Sequence, residues 1–150
     1  MTAPYKAREG IYIAFDFGMK YIGTAVGQGL TQSASPLITL KAQDGIPAWP
    51  EIATLLESFR PQALIVGIPV NMDGREQNIT YCARAFVRRL TVKFALPIYT
   101  VDERLSSWAA KQRLNIKNPK KPRDIAQLNA MAAVILLEQW LLDNPNFEKN

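Results

Sequence analysis

Two apolar segments of strand length each end in acidic residues. Asp16 follows residues 11–15 (IYIAF), and Asp102 with Glu103 follows residues 97–101 (PIYTV). Apolar runs of this length that are rich in β-branched and aromatic side chains are typical of buried strands. A carboxylate at the end of a buried strand is costly to desolvate unless it is paired or binds a cation. The pattern therefore indicates a site in which these acids share a cation.

The chemistry of such a site follows from the ligands that the chain offers. In open α/β sheets, ligands gather at the carboxyl ends of parallel strands, so the acids converge if the two strands are neighbours. The chain has no histidine, which leaves oxygen ligands and favours Mg²⁺ or Mn²⁺. One or two such ions would support in-line displacement at a phosphate by activating water. The spacing also allows an alternative, in which Asp16 caps a turn and Asp102 pairs with Arg104.

The remaining pattern predicts one α/β domain that spans residues 1–150. Residues 21–26 and 33–42 predict strands that return antiparallel after the first strand, and residues 63–69 predict another buried strand. Helical spacing predicts helices over residues 50–59, 76–94 and 124–142, with a short helix after residue 106. This order predicts a mixed five-stranded sheet, a three-stranded meander followed by parallel strands, with helices on both faces. Trp108 and Trp140 are expected in the core.

Basic residues favour a polyanionic partner. The net charge is +5, and four cations lie in one Pro-interrupted stretch: Lys117, Lys120, Lys121 and Arg123. Their placement suits salt-dependent contacts to nucleic-acid phosphates, with a solvated basic face as the alternative. A polar loop at the end of the strand over residues 63–69, which contains Asn71 and Arg75, is placed to touch the same substrate; ordinary turn chemistry is its alternative.

Composition points to the cytoplasm. The single cysteine, Cys82, excludes an internal disulfide and suits a reducing compartment. We expect that no apolar run approaches the length needed to span a bilayer, and the first residues lack the apolar region of a secretory signal. We therefore expect no membrane partner, and a monomer or weak homodimer.

Four motifs, in this order, resemble the YqgF family. They are AFDFGMKYIGTAVGQ, LIVGIPVNMDGREQ, VDERLSS and AAVILLEQWL, and the resemblance covers about residues 10–142. That family comprises Holliday-junction-resolvase-like proteins of the ribonuclease H fold, also described as nucleases that mature the 5′ end of pre-16S ribosomal RNA. The resemblance implies a ribonuclease H-like fold and a metal-dependent phosphodiesterase in the bacterial cytoplasm that acts on structured nucleic acid.

The resemblance also implies which residues form the site. Asp16 matches the acid of the family's first-strand D-x-G motif, and Glu103, with Asp102 beside it, matches the D-E-R motif. The family's third acid stands on the last helix, three residues before an Ala-Ala pair, where this chain has Asn129. An amide supplies an oxygen without charge, so we expect weaker metal binding and less efficient cleavage. Arg104 is expected to contact a phosphate.

Four functions remain to be compared. The first is processing of pre-16S ribosomal RNA by a metal-dependent nuclease. The second keeps the site but cuts four-way DNA junctions, which usually requires a symmetric dimer. The third is a structured-RNA-binding assembly factor in which Asn129 has blunted catalysis. The fourth, the nucleotide-binding half of an actin-like ATPase, is disfavoured because that architecture needs two such domains and this chain has only 150 residues.

Overall fold

The structure is a computed structural model that describes residues 5–71, 73–103 and 106–145. Its sheet has six strands in the order β4-β3-β2-β1-β5-β6. They are β1 (Ile11–Asp16), β2 (Tyr21–Gln28), β3 (Ser33–Gln43), β4 (Ile46–Pro47), β5 (Ala63–Pro69) and β6 (Ile98–Glu103). The first four strands pair antiparallel in sequence order, and β1, β5 and β6 are parallel. The predicted mixed sheet is confirmed, but the prediction of five strands was wrong because the two-residue β4 adds an edge.

Among the four helices of the described residues, three cover the two faces of the sheet, and the short α3 packs on α4. They are α1 (Trp49–Phe59), α2 (Asn78–Phe94), α3 (Ser106–Leu114) and α4 (Pro122–Asp143). One core cluster joins odd-numbered β1 residues such as Phe15 to apolar residues of α1 and α2, including Phe86. The other cluster joins even-numbered β1 residues such as Tyr12 to Trp140 and its neighbours on α4. Because successive strand residues point to opposite faces, β1 is buried on both sides and reads as a continuous apolar run.

The parallel strands bring the predicted acids to one edge. Asp16 is paired with Gly67 of β5, and Gly67 is paired in turn with Val101 of β6. Directly paired residues of parallel strands share a face, and so do residues two apart along one strand. Asp16 and Glu103 therefore both face α4, on the side of the sheet where Val101 packs. This shared face is what makes a common site possible.

Helix α4 runs antiparallel to β1 along that face. Its Asn129 lies over Gly23, the β2 partner of Asp16, whereas Leu137 lies over Gly27 near the opposite end of the strand pair. The N-terminal turns of α4 therefore extend past the carboxyl ends of β1 and β5. Trp140 is buried at the far end, as predicted, but Trp108 of α3 is 63% exposed, so its predicted core position was wrong.

By length and composition, α4 is also the one helix in the described part of the chain that could cross a membrane. Its mean hydropathy reaches 1.5 over an 18-residue window. This is weak evidence, since a helix that covers a sheet must be just as apolar. Ala133 and Leu137 of α4 are fully buried against the sheet, so the apolar character of α4 is used in the protein core.

We predict that Gly23→Ala destabilises the protein strongly. A Cβ atom at position 23 would lie 1.8 Å from the backbone oxygen of Asn129, and helix backbone cannot move aside as a side chain can. Overpacking of this kind costs at least about 2 kcal/mol of the free energy of unfolding, measurable by urea denaturation. Gly27→Ala on the same strand is the matched control, because its new Cβ meets the flexible end of Leu137 at 2.7 Å and its nearest backbone contact, the Ser33 oxygen, is at 3.0 Å rather than 1.8 Å. Equal losses from the two variants would contradict the backbone contact.

Candidate active site

The carboxyl groups of Asp16 and Glu103 form the centre of the candidate site. Asp16 is 7% exposed although it is an acid. Burial, a hydrogen bond with Glu103 and the charge of Glu103 together raise the pKa of Asp16 well above its ordinary value. Burial also raises the pKa of Glu103, against the opposing effect of its hydrogen bond with Asp16. These directions mean that, without a cation, the folded protein favours a proton on Asp16, from which the Asp16 carboxyl donates to Glu103.

One oxygen of this pair is left without a donor. Glu103 Oε2 is buried, and no N–H or hydroxyl group of the described residues reaches it. A buried carboxylate oxygen without a donor is expensive, and such an exception calls for an explanation. A bound cation would satisfy this oxygen and remove the need for the shared proton. The pair therefore has the properties of a cation site.

Gly67 is a site residue that the sequence interpretation missed. It lies on β5, between the strands that carry Asp16 and Glu103. A Cβ atom at position 67 would lie 2.6 Å from Glu103 Oε2. The available signal was a glycine inside an otherwise apolar strand, which often marks a close approach by another group.

Asn129, the residue at the third predicted position, is held near the pair by its helix backbone. The close contact between that backbone and Gly23 places Asn129 beside the β1–β2 pair that contains Asp16. Its side-chain Nδ2 donates to the carbonyl of Ile125 at 2.8 Å. The group that approaches Gly23 closely is thus the backbone of helix α4. A ligand role for Asn129 remains a prediction.

Asp102 is not brought to the pair. It is exposed, and the alternation of β6 turns its side chain away from the face that Glu103 occupies. Its charge acts on Arg84 of α2, whose guanidinium Nε lies 3.0 Å from Glu76 Oε1. The hydrogen bond that Arg84 donates to Glu76, and the charge of Asp102 to a smaller extent, raise the pKa of Arg84. The alternative partner for Asp102, Arg104, lies outside the described residues.

The polar loop after β5 lies at the same edge as the pair. The backbone N–H of Val70 donates to the carbonyl of Glu103 at 3.2 Å, which ties the loop to the end of β6. The loop closes on itself through a hydrogen bond from the Asn71 N–H to the Arg75 carbonyl. Both side chains are exposed, and Arg75 pairs with Asp73 at 2.9 Å. The structure therefore brings Asn71 and Arg75 to the edge, where substrate contact stays a prediction.

The basic segment over residues 117–123 lies beyond the same edge. It connects α3 to the first turn of α4, and its four predicted contact residues are exposed: Lys117, Lys120, Lys121 and Arg123. Residue 122 precedes Asn129 by seven positions, which is about 10 Å along a helix. The segment therefore begins about 10 Å beyond Asn129 along the helix axis, and none of its described side chains forms an ion pair with Asp16 or Glu103.

The donor set at the edge fits a hard divalent cation. No group of three His, Cys, Asp or Glu side chains that could hold a metal occurs among residues 5–71, 73–103 and 106–145. The two carboxylates nevertheless suit Mg²⁺ or Mn²⁺, because such ions are commonly held by one or two carboxylates and complete their shell with water and substrate oxygens. The donor-free Glu103 Oε2 supports this fit.

Comparison with known proteins identifies relatives along nearly the whole chain. The family model described as "RuvX: Holliday junction resolvase" matches residues 10–143. A Coxiella burnetii (strain RSA 331 / Henzerling II) protein, named as a candidate pre-16S rRNA nuclease, is 47% identical over 137 residues, or 91% of this chain and 95% of that protein. A Shewanella oneidensis (strain MR-1) protein with the same name is 48% identical over 128 residues, or 85% of this chain and 91% of its own length. The resemblance that the four motifs indicated is confirmed.

Among solved structures, RuvC of Thermus thermophilus in complex with a Holliday junction substrate is similar to this chain. It is 18% identical, with a TM-score of 0.49 over 89% of this chain and 94% of that chain.

We predict that Asp16→Asn stabilises the metal-free protein. The variant removes one buried acid, so the free energy of unfolding in chelator should rise by at least about 1 kcal/mol at neutral pH. Since the folded-state pKa of Asp16 is raised, wild-type stability is lost as pH rises from the ordinary carboxyl range through that pKa. The advantage of the variant should therefore grow from pH 4 to pH 8. Urea denaturation across this range measures it.

The matched control for this prediction is Asp102→Asn, at the position next to Glu103 on β6. Asp102 is exposed, so its substitution should change the free energy of unfolding by less than about 0.5 kcal/mol. A wild-type protein that is as stable as Asp16→Asn at every pH would show that the acid pair is not strained.

Proposed function

This chain belongs to the RuvX (YqgF) family of Holliday junction resolvases, and we propose that it is a metal-dependent nuclease that processes the 5′ end of pre-16S ribosomal RNA. The observation that supports a metal-dependent nuclease best is the buried pair of Asp16 and Glu103 at the carboxyl edge of the sheet. Two buried acids with apolar neighbours need a positive charge nearby before both can ionise, and a bound cation would supply it. The names of the relatives support the RNA substrate.

In this proposal, Asp16 and Glu103 hold Mg²⁺ or Mn²⁺, and Asn129 supplies a neutral oxygen beside them. A bound cation of this kind activates water and stabilises the leaving oxygen of an in-line displacement. The carboxylates bind it only after the shared proton has left, so metal binding releases a proton. Burial by α4 keeps the pair out of bulk water, which strengthens its attraction to the cation. Asp102 would assist indirectly, through the charge it presents to Arg84.

We assign the contacts to substrate to two polar segments near the acid pair, the loop after β5 and the basic segment before α4. Asn71 and Arg75 would orient the phosphate next to the cleaved bond from one side. The segment over residues 117–123 would contact the backbone a few nucleotides away, and Arg104 would add a further phosphate contact. Such contacts position a nucleic acid without reading its sequence. The choice of cleavage position would then depend on the folded shape of the RNA, and the bacterial cytoplasm is where such a precursor is found.

A second candidate function is the cleavage of four-way DNA junctions. The description of the matching family model favours it. The same acid pair would serve, because metal-assisted displacement at phosphorus needs the same groups on RNA and DNA. Paired cuts in a symmetric junction would require two copies of this chain with their sites facing opposite strands. The oligomeric state and the preferred substrate therefore separate the two candidates.

We predict that Asp16→Asn and Glu103→Gln abolish cleavage and retain substrate binding. The test compares a pre-16S 5′-leader RNA with a four-way DNA junction, each with Mg²⁺, Mn²⁺ or chelator. Loss of cleavage by at least about a hundredfold is expected, since each variant removes a charged ligand. Asp102→Asn should lose far less, because its side chain lies on the other face of β6. Asn129→Asp should cleave faster at limiting metal.

The outcomes of this test assign the function. Metal-dependent cutting of the leader RNA alone supports the proposal, and cutting of the junction alone by a dimer supports the second candidate. Binding without turnover, with cleavage gained in Asn129→Asp, would indicate an RNA-binding assembly factor. Undiminished cleavage by Asp16→Asn would contradict both nuclease functions.

We also predict that the double variant Lys120→Gln/Lys121→Gln binds nucleic acids more weakly, and by the same factor whatever their base sequence. Each lost phosphate contact should reduce the slope of log affinity against log salt by about 0.7 to 0.9. Binding titrations between 50 and 200 mM salt measure the slope. Lys6→Gln/Arg8→Gln is the control, since both residues are exposed before β1, at the other end of the sheet. An unchanged slope in the first variant would place the substrate elsewhere.

A further inference from the structure

We infer that Gly67 is a positioning residue that lets the Glu103 carboxyl cross strand β5 to reach Asp16. This inference rests on the proposed function for its catalytic consequence, but its structural basis is independent. The order of the sheet places β5 between the strands that carry the two acids. Neighbouring strands are about 4.8 Å apart, so β1 and β6 are separated by about 10 Å. The two carboxyls can meet only over the backbone of β5.

The register identifies the point at which they meet. Asp16 is paired with Gly67, whereas Glu103 is paired with Pro69, two residues further along β5. The Glu103 side chain therefore turns back along the sheet and passes over Gly67 on its way to Asp16. A Cβ at position 67 would lie 2.6 Å from Glu103 Oε2 and 2.8 Å from Leu136 Cδ2. Both distances are shorter than real carbon contacts allow.

The space over Gly67 is closed from above by α4. Leu136 is buried with 4% of its surface exposed, and it lies against the same point of β5. The Glu103 carboxyl is thus confined between the β5 backbone and the helix. A side chain at position 67 would have to displace either the Glu103 carboxylate or the end of the Leu136 side chain, and Glu103 is the more exposed of the two residues. Loss of the acid pair is the expected result.

The residues paired with Asp16 on its two neighbouring strands explain why position 67 requires a glycine. Asp16 has Gly23 on one side in the sheet and Gly67 on the other. Gly23 admits the backbone of α4, whereas Gly67 admits a carboxylate from the neighbouring strand β6. Neither glycine has a positive φ angle among the described backbone. The absence of a side chain, rather than conformational freedom, is therefore what both positions require.

The inference is tested by a double-mutant cycle of Gly67→Ala and Glu103→Ala, measured as the free energy of unfolding in chelator. Gly67→Ala should destabilise the wild type more than it destabilises the Glu103→Ala protein, because only the wild type contains the displaced carboxylate. The Leu136 contact is present in both backgrounds and cancels. If Gly67→Ala alone does not fold, folding of the double variant gives the same answer. Equal costs, or a double variant that also fails to fold, would overturn the inference.

A second measurement follows the site itself. Mn²⁺ binding by calorimetry should weaken about 10- to 100-fold in Gly67→Ala, the range seen when the support of a metal ligand is removed. Gly27→Ala, which meets Leu137 instead, should bind Mn²⁺ as the wild type does. Unchanged Mn²⁺ affinity in a folded Gly67→Ala protein would overturn the inference. A wild type that binds no Mn²⁺ would count against the proposed nuclease, while the stability cycle would still decide the role of Gly67.

Discussion

The structure depends on the cost of burying two carboxyl groups at one edge of a sheet. Asp16 is almost completely buried, and Glu103 keeps an oxygen that no described donor reaches. In the metal-free protein a shared proton lowers this cost, and in the functional protein a cation would do so. The buried carboxyl groups therefore lower the stability of the metal-free protein, although the proposed activity requires them. Sites of this kind are where proteins give up stability for function.

Helix α4 enforces this burial, and small residues let it come close enough. Its backbone rests on Gly23 beside Asp16, and Leu136 closes the space over Gly67. The same helix carries Asn129 to the site and presents the basic segment at its N-terminal end. The contact between α4 and Gly23 thus determines how deeply Asp16 and Glu103 are buried, where Asn129 lies, and on which side of the site the basic segment begins.

The described charges around the site are paired with one another and not with the acid pair. Arg75 pairs with Asp73 in its own loop, and Arg84 pairs with Glu76 and feels the charge of Asp102. No described basic side chain forms an ion pair with Asp16 or Glu103. A cation would therefore meet the acids without competition, while exposed lysines and arginines further out stay available for phosphates.

The sequence by itself determined the strands, the helices and the two acids, because these depend on local patterns. Residues 11–16 and 98–103 each carry an apolar run and an acid, which is visible without any tertiary contact. The four motifs further identified the family, and they identified Asn129 as the residue at the position of the family's third acid. Errors arose where burial depends on distant residues: Trp108 has the composition of a core residue, but nothing in its own helix shows that it stays exposed. The two-residue β4 carries too few residues to produce a pattern.

Only the tertiary structure decided which of the two adjacent acids, Asp102 or Glu103, faces Asp16. Asp102 and Glu103 are adjacent in sequence, and strand alternation sends them to opposite faces, so the choice required the pairing of β6 with β5 and the position of α4. It also revealed Gly67, whose importance lies in a carboxylate 36 positions away in the chain. Patterns in a sequence report the preferences of neighbouring residues. The space between a glycine and a distant carboxylate exists only after the strands have paired and the helix has closed over them.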